Sequence, residues 1–465
     1  MDLSALAGWD QAPGRLPQRL AAALERALVA GALGEGPLPA ERRLAAALGV
    51  SRGTVTAAYA ELKDRKLVAS RPGGYTEPDS AVLAAPVRAA RLAARYNVEE
   101  TILREYATRD PHQLDLSFAF LDVPEGAQAM IDAALARALQ HRPNPSGYVA
   151  AGLPALRERI AEWYTRTVLL RTSAEQIVVT QGAYQAIGLA ALLALSPGDT
   201  VVAETPMYPG ALDIFRAHGA VIRDVGPFDD ADALATLERD GAASALVYAT
   251  SAYRNPVGTT IDARAAARLA RWSARADVTL IDDRALGMCG FGETTRPLAS
   301  YAPDAPILTL GSLDKTTGAG TRIGWMRVPR ATAPKLARLK AIADLTSPPL
   351  MQQVALELHD DLAAIARLRG AELERRYERL AAQLRVRFPR WRWHVPSGGA
   401  SIWVDVATGA EQVVRAAALA GVTLVPGSAF LPGGEHGHHL RFAYARPEAL
   451  LDAAVERLAN ALRSG

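Results

Sequence analysis

The sequence predicts an α/β protein with a small helical unit at its front. From about residue 112 onward, short apolar runs alternate with helical stretches, and QIVVT, DTVVAE, SALVYAT, DVTLID and PILTLG are strand-like. Strands that alternate with helices favour a largely parallel or mixed sheet covered by those helices. Before residue 79 the periodicity is helical and is broken by glycines. Scale agrees with both observations. A chain of 465 residues, 49% hydrophobic, suits a core of roughly 300 residues or more with something appended.

The front elements follow in order. Leu16, Leu20, Leu24 and Leu28 recur at helical spacing, and Gly31 and Gly34 stop that helix. Pro39 precedes a short second helix with Leu44 and Leu48 on its inner face. Gly49 breaks it, and Ser51 is placed to cap the next. The third helix, SRGTVTAAYAELKDRK, buries Val55, Tyr59 and Leu62 and carries Arg52, Thr54 and Thr56 near its start. LVASRPGGYTEP then forms a two-stranded hairpin with Gly73 and Gly74 at its tip. Helix, tight turn, helix is the layout that places a second helix in the DNA major groove, N-terminus first. The same periodicity also suits a plain helical cap. Charge favours nucleic acid: residues 11–78 hold 10 Lys+Arg against 6 Asp+Glu, and 7 of the basic residues lie from Arg42 to Arg71. The net charge of +3 for the whole chain says little about partners. Residues 79–111, rich in Ala and Arg, form a linker with some helical character.

Several classes are disfavoured. Cys289 is the only cysteine, so an intrachain disulfide and a thiolate metal cluster within one chain are excluded. MDLSALAGWD lacks a basic stretch followed by an apolar core. The apolar run Ala186–Leu195 is about half of what spans a bilayer. A cytoplasmic location is expected.

Ligands of α/β sheets collect where strand ends meet loops. There stand Gly182 after QIVVT, Tyr208 after VVAE, Asn255 after LVYAT, Asp282 after VTLI and Lys315 after LTLGS. A lysine after a strand, with Ser312 before it and Arg322 after it, suits a phosphorylated aldehyde. The amine forms a Schiff base while hydroxyl and guanidinium hold the phosphate. A carboxylate such as Asp282 keeps a pyridine nitrogen protonated, Tyr208 is placed to stack on the ring, and Asn255 to bond its phenolic oxygen.

Two stretches resemble known families. LPAERRLAAALGVSRGTVTAAYAELKDRKLVASRPGGY resembles the winged helix-turn-helix of GntR-type bacterial regulators. The resemblance implies binding of residues 11–78 to double-stranded promoter DNA, with contacts from Arg42, Arg43, Ser51, Arg52, Thr54 and Thr56 and, at the wing, Arg71 and Gly73. Residues 112–465 resemble fold-type I pyridoxal-phosphate aminotransferases through GYVAAGLPALRERIAEWY, QIVVTQGAYQAI, AETPMYPG, RNPVG, SLDKTTGAGTRIGW and HHLRFAYA. This implies a large α/β sheet domain over about 125–335 and a small α+β domain over about 336–465. It implies pyridoxal 5′-phosphate as cofactor, a phosphate loop at Gly182, Ala183 and Tyr184, the Schiff base on Lys315, and Arg441 as the site of a substrate or effector carboxylate. Tyr148 matches the tyrosine that reaches the cofactor phosphate of the partner subunit. The fusion is similar to the MocR/PdxR-type subfamily of GntR regulators. That similarity implies a head-to-tail homodimer whose aminotransferase-like domain senses pyridoxal phosphate or an amino-acid-like effector. A working aminotransferase with an auxiliary DNA-binding domain is the other reading.

Two residues depart from the aminotransferase pattern. The family follows its pyridine-binding Asp with another residue and then a tyrosine that bonds the phenolic oxygen, whereas IDDRAL puts Arg284 there. Facing the ring, an arginine that only donates would stabilise the phenolate and lower the pKa of the Schiff base. Turned away, it joins the surface or a salt bridge. Asp314 stands where serine is usual and is unfavourable near phosphate unless paired, with Arg322, Arg284 or another cation. His436, His438 and His439 fall in a Gly-rich loop and imply no metal site, Trp391 and Trp393 belong to an amphipathic strand, and Gly318 and Gly320 make a turn without the phosphate-loop spacing.

Overall fold

The computed structural model describes residues 9, 16–29, 38–64, 67–70, 76–78, 113–119, 121–141, 148–292, 295–434 and 437–464. The chain divides into two compact units, Met1–Glu100 and Thr101–Gly465. The first holds α1 (Leu16–Val29), α2 (Glu41–Leu48) and α3 (Arg52–Asp64), then β1 (Val68–Ser70) paired antiparallel with β2 (Thr76–Pro78). Leu20, Leu24, Leu44, Val55, Tyr59 and Leu62 share one core, while Leu48 is only partly covered and Leu16, 46% exposed, lies outside it. Gly49 ends α2 with φ +66°, a left-handed conformation that costs glycine nothing. The Tyr59 hydroxyl donates to the Pro39 carbonyl at 2.8 Å and ties α3 to the entry of α2.

The second unit opens with β3 (Leu114–Asp115) and is built on a seven-stranded sheet. Its strands are β4 (Ile177–Thr180), β5 (Thr200–Ala203), β6 (Val221–Asp224), β7 (Leu246–Ala249), β8 (Thr279–Asp283), β9 (Ile307–Ser312) and β10 (Gly324–Arg327). The spatial order is β4-β10-β9-β8-β7-β5-β6. Only β10 runs antiparallel to its neighbours in this sheet, pairing with both β4 and β9. The five apolar runs of the sequence are all strands; β6 (VIRD), a largely exposed edge strand, and β10 (GWMR), which begins with Gly and ends with Arg, form no apolar run.

Helices cover both faces, which is why the inner strands are apolar on both sides. On one face Ile187 of helix Ala183–Ala194 and Phe215 of helix Pro209–Ala217 pack with Tyr248, Ile281 and Leu310. On the other, Ile160 of helix Pro154–Arg166 and Trp272 of helix Ala263–Ala276 pack with Val179, Val247 and Leu280. Each such side chain contributes about 1.5–3 kcal/mol by leaving water. The two faces do different work at the strand ends, as the site shows.

A second, smaller sheet has the antiparallel order β11 (Arg392–Trp393), β12 (Ser401–Asp405), β15 (His439–Ala443), β14 (Val425–Pro426). β13 (Val422–Thr423) pairs parallel with β3, so the start of the unit is stitched into the small domain. Helices Leu362–Arg387, Ala410–Leu419 and Glu448–Ser464 cover this core, which also takes in Leu116 and Leu121. Trp391 is buried there, stacked on Phe388, and Trp393 lies on β11. Helix Ala333–Asp344 sends Ala333 and Leu336 under the large sheet, and Ala355 of helix Pro349–Glu357 joins its other face. The large layer therefore extends past residue 335. Among the described residues no helix is long and apolar enough to cross a membrane.

Candidate functional site

A cavity of about 370 Å³ lies at the C-terminal ends of the parallel strands, within the usual size of small-molecule sites. The elements deliver its walls one at a time. β4 ends before Gly182, which has φ +87° and precedes helix Ala183–Ala194. A Cβ on Gly182 would stand 2.7 Å from Asp314 Oδ2, so only glycine fits. Ala183 and Tyr184 open that helix and line the cavity. Its first-turn N–H groups have no intrahelical partners, which favours an anion there.

β9 ends at Ser312, whose Oγ accepts the Asp314 N–H at 3.2 Å. The turn Asp314–Thr317 then points Lys315 inward, its Nζ donating to the Ala119 carbonyl at 3.0 Å. Burial holds the Lys315 ammonium below the ordinary lysine value; the Arg441 and Arg322 guanidiniums push the same way, while Asp314 opposes them. A buried lysine of lowered pKa is a nucleophile. Tyr208, ahead of helix Pro209–Ala217, lies over Gly210, where a Cβ would come within 2.5 Å of the ring. Arg441 on β15 is buried, approaches Asn255 Oδ1 at 3.5 Å and stands 5.0 Å from the centroid of Phe430. The small domain thus closes the cavity with a cation.

Two expectations for the ring end are corrected. Asp282 does not line the cavity; Asp283 does. Along a strand, side chains alternate between faces. Asp283 sits opposite Leu310 of β9, on the face shared with Ser312, whereas Asp282 sits opposite Thr309 on the other face. There Asp282 is fully buried and accepts the Leu298 N–H at 2.8 Å. Asp283 Oδ2 accepts the Tyr248 hydroxyl at 2.7 Å and Oδ1 the Ala285 N–H at 3.0 Å. Burial raises the pKa of Asp283, and these two hydrogen bonds act against the rise. Arg284 follows Asp282 away from the cavity. Its guanidinium donates to Ser251 Oγ, Arg296 O, Thr295 O and Thr295 Oγ1 at 2.7–3.2 Å. It has no reach to a ring in the pocket, and the cavity wall after Asp283 is formed by Ala285 and Leu286 instead. The sequence points to Asp282 and not Asp283 because IDD offers two adjacent carboxylates and only the strand register says which one faces inward; Tyr248, inside the apolar run of β7, and Leu286 carry no local signal of a site.

Asp314 takes the paired option: its Oδ2 accepts from Arg322 Nη1 at 2.7 Å. Tyr148 is 76% exposed and does not line the cavity of its own chain. His438 Nδ1 lies 2.8 Å from the Thr408 carbonyl and His439 stacks on Trp403; His436 lies outside the described residues.

In the first unit, Arg42, Arg43, Ser51, Arg52 and Thr56 are exposed and Thr54 half-buried. Ser51 Oγ accepts the Thr54 N–H at 3.1 Å and lies 2.8 Å from its hydroxyl, capping α3. The Thr56 hydroxyl donates to the Arg52 carbonyl. Arg52 Nε donates to Glu41 at 3.1 Å, which bridges α2 and α3. Arg71 and Gly73 lie outside the described residues.

The family profile for aminotransferase class I and II matches residues 112–458. The chain belongs to that family. The profile for bacterial regulatory proteins of the gntR family matches residues 16–77, so a GntR-type helix-turn-helix precedes the aminotransferase fold. This is the architecture of MocR/PdxR-type regulators. The chain is 28% identical to the uncharacterized HTH-type transcriptional regulator YdcR of Escherichia coli over 448 residues, 91% of this chain and 94% of that one. It is 29% identical to the 2-aminoadipate transaminase of Thermus thermophilus over 70% of this chain and 82% of that one. The crystal structure of LysN, the α-aminoadipate aminotransferase of Thermus thermophilus complexed with N-(5'-phosphopyridoxyl)-L-leucine, superposes with a TM-score of 0.70. It is 25% identical and covers 81% of this chain and 96% of that one. Pyridoxal 5′-phosphate is the cofactor of this family.

Proposed function

We propose that the protein is a transcriptional regulator whose aminotransferase-like domain binds pyridoxal phosphate or an amino-acid-like effector and so controls DNA binding. The observation that carries this reading is the union, in one chain, of a helix-turn-helix with exposed arginines and a pocket centred on a buried lysine. The pocket residues suit pyridoxal phosphate. Lys315 would hold its aldehyde carbon; Ser312, Arg322 and the first turn of helix Ala183–Ala194 its phosphate. Tyr208 would lie against its ring, Asn255 beside its phenolic oxygen and Asp283 at its pyridine nitrogen. When bound, the cofactor supplies an aldehyde that condenses with amines and a protonated ring that withdraws electrons.

The chain's own groups have defined tasks. Lys315 Nζ, kept low in pKa by burial, attacks as a free amine and can carry a proton. Tyr248 and the Ala285 N–H favour the anion of Asp283 against the burial that raises its pKa, and that anion would keep a proton on the nitrogen it faces. Arg441, braced near Asn255, is a carboxylate receptor. In the first unit, Arg42, Arg43 and Arg52 supply phosphate and base contacts. A head-to-tail homodimer would set Tyr148 against the partner's phosphate site and present two helix-turn-helix modules to paired half-sites. Coupling of about 1–3 kcal/mol between pocket and DNA is enough for control.

The test is binding of the full chain to DNA upstream of its own gene, at fixed salt, with pyridoxal phosphate removed and then restored. A change in affinity or footprint supports a cofactor-responsive regulator, and specific binding indifferent to the cofactor points to a second effector. Absence of specific binding in both states counts against the reading. The retention of Lys315, Asp283 and Arg441 around one cavity favours a second reading, a working aminotransferase. Loss of the aldehyde absorbance on adding amino acids, regained with a 2-oxo acid, would support it.

A further inference from the structure

The phosphate end of the pocket already contains an anion. Arg322 donates through Nη1 to Asp314 Oδ2 at 2.7 Å and through Nη2 to the Gln181 carbonyl at 2.7 Å. Asp314 directly precedes Lys315, is 7% exposed and lines the cavity with Arg322. Its Oδ2 fills the space beside the Gly182 backbone, 2.7 Å from where a Cβ would stand. Its other oxygen, Oδ1, is buried without a hydrogen-bond partner among the described residues. Among the described residues, the guanidinium aimed at this end, that of Arg322, therefore holds a carboxylate. A hydroxyl at the same position could donate to a phosphate, whereas an ionised carboxylate only accepts.

We infer that Asp314 is an internal competitor for the phosphate subsite, so that pyridoxal phosphate is held as an exchangeable ligand. The inference rests on the cofactor reading above and adds a residue that sets affinity. Arg322 can turn toward an incoming phosphate, because its side chain is 53% exposed; that of Asp314 is only 10% exposed. When Arg322 turns, Asp314 is left as a buried carboxylate without its cation, beside a second anion. Both consequences oppose binding, and more strongly than in bulk water because the site is partly desolvated. The Asp314–Arg322 pair also stabilises the protein without ligand. Exchange on these terms is what a sensor of free pyridoxal phosphate requires, and what an enzyme with a resident cofactor does not.

The experiment uses the full chain stripped of cofactor, as wild type, Asp314→Asn and Asp314→Ser. Pyridoxal phosphate is titrated by absorbance, its release rate is measured after dilution, and thermal melting is followed with and without it. Inorganic phosphate, displaced by pyridoxal phosphate, probes the subsite without Schiff-base formation. Both variants are expected to bind pyridoxal phosphate at least tenfold more tightly, about 1.4 kcal/mol, chiefly through slower release. They should hold inorganic phosphate better too. Stripped Asp314→Asn should melt below stripped wild type, and saturating ligand should narrow that gap. Wild type that binds normally while both folded variants bind no better would overturn the competition and leave the cofactor reading intact. Failure of all three proteins to bind would overturn both. Binding by the variants alone would be the competition in its strongest form.

Discussion

The front unit and the pocket both offer arginines to an anion, in opposite settings. Arg42, Arg43 and Arg52 stand exposed on two short helices, with Arg52 steadied by Glu41 across the turn. Arg441 is buried between Asn255 and Phe430, and Arg322 is already engaged by Asp314. Exposed cations recognise a long polyanion by summed attraction that salt screens. Buried ones select a small molecule, because each contact is made in a poorly screened place and each mismatch leaves a stranded charge. Substitutions in the front unit should therefore act by degrees and with salt, and those in the pocket close to all-or-none.

The largest effect is expected at Lys315. Lys315→Ala should abolish the absorbance of covalently held pyridoxal phosphate while leaving the fold intact, and covalent capture by that variant would remove Lys315 from the centre of the site. In wild type, burial lowers the Lys315 pKa, so the deprotonated, reactive amine dominates at lower pH than for an ordinary lysine. The rate of capture should rise with pH and level off below the ordinary lysine value of about 10.4. A plateau reached only above that value would contradict the environment described for Nζ.

Next comes the pair Asp282 and Asp283, one residue apart and on opposite faces. Asp283→Ala should cost cofactor affinity and shift the spectrum of what remains, with little change in unfolding. Asp282→Ala should leave the spectrum alone and destabilise the fold by about 1–3 kcal/mol, since it strands the Leu298 N–H in the interior. The reverse outcome would restore Asp282 to the ring. In the front unit, Arg52→Ala should weaken operator binding by about 1–3 kcal/mol and relax sequence preference if it reads a base. Arg42→Ala should weaken all sequences alike and reduce the salt slope by about 1. The smallest effect on the pocket is expected from Arg284→Tyr. The pH titration of the Schiff-base absorbance should not move, although the protein should melt earlier for want of four hydrogen bonds. A displaced titration would bring Arg284 back to the ring.

The same contrast explains what could be foreseen from sequence. In the front unit the helical repeat and the Gly49 break placed Leu20, Leu24, Leu44, Val55, Tyr59 and Leu62 in the core and Leu48 against it, and of the described side chains named there only Leu16 lies outside. The helical repeat of 3.6 residues is read within the segment itself. Most of the large sheet was equally plain, because five of its strands are continuous apolar runs, and so were Gly182, Tyr208, Asn255 and Lys315 at the strand ends, while Arg441, inside β15, came from the resemblance alone. The failure at IDDRAL has a different origin. A strand repeats every two residues, so a shift of one exchanges faces, and which face is inward is set by partners distant in sequence. Leu310 and Ser312 settle it through their register with Asp283. Nor does the sequence alone disclose that Tyr248 braces Asp283 or which of the candidate cations pairs with Asp314.

The central claim is that the pocket and the DNA-reading helix are energetically coupled. Coupling between two ligands is reciprocal, so it can be read from the pocket side. The affinity of the full chain for pyridoxal phosphate should be measured at fixed salt with and without a saturating duplex carrying the operator, with a scrambled duplex as control. The account predicts a change of about 5- to 150-fold with the operator alone, equal to the factor by which pyridoxal phosphate changes operator affinity. Identical affinities in all three conditions would contradict it, and the two units would then be neighbours in sequence without being partners in function.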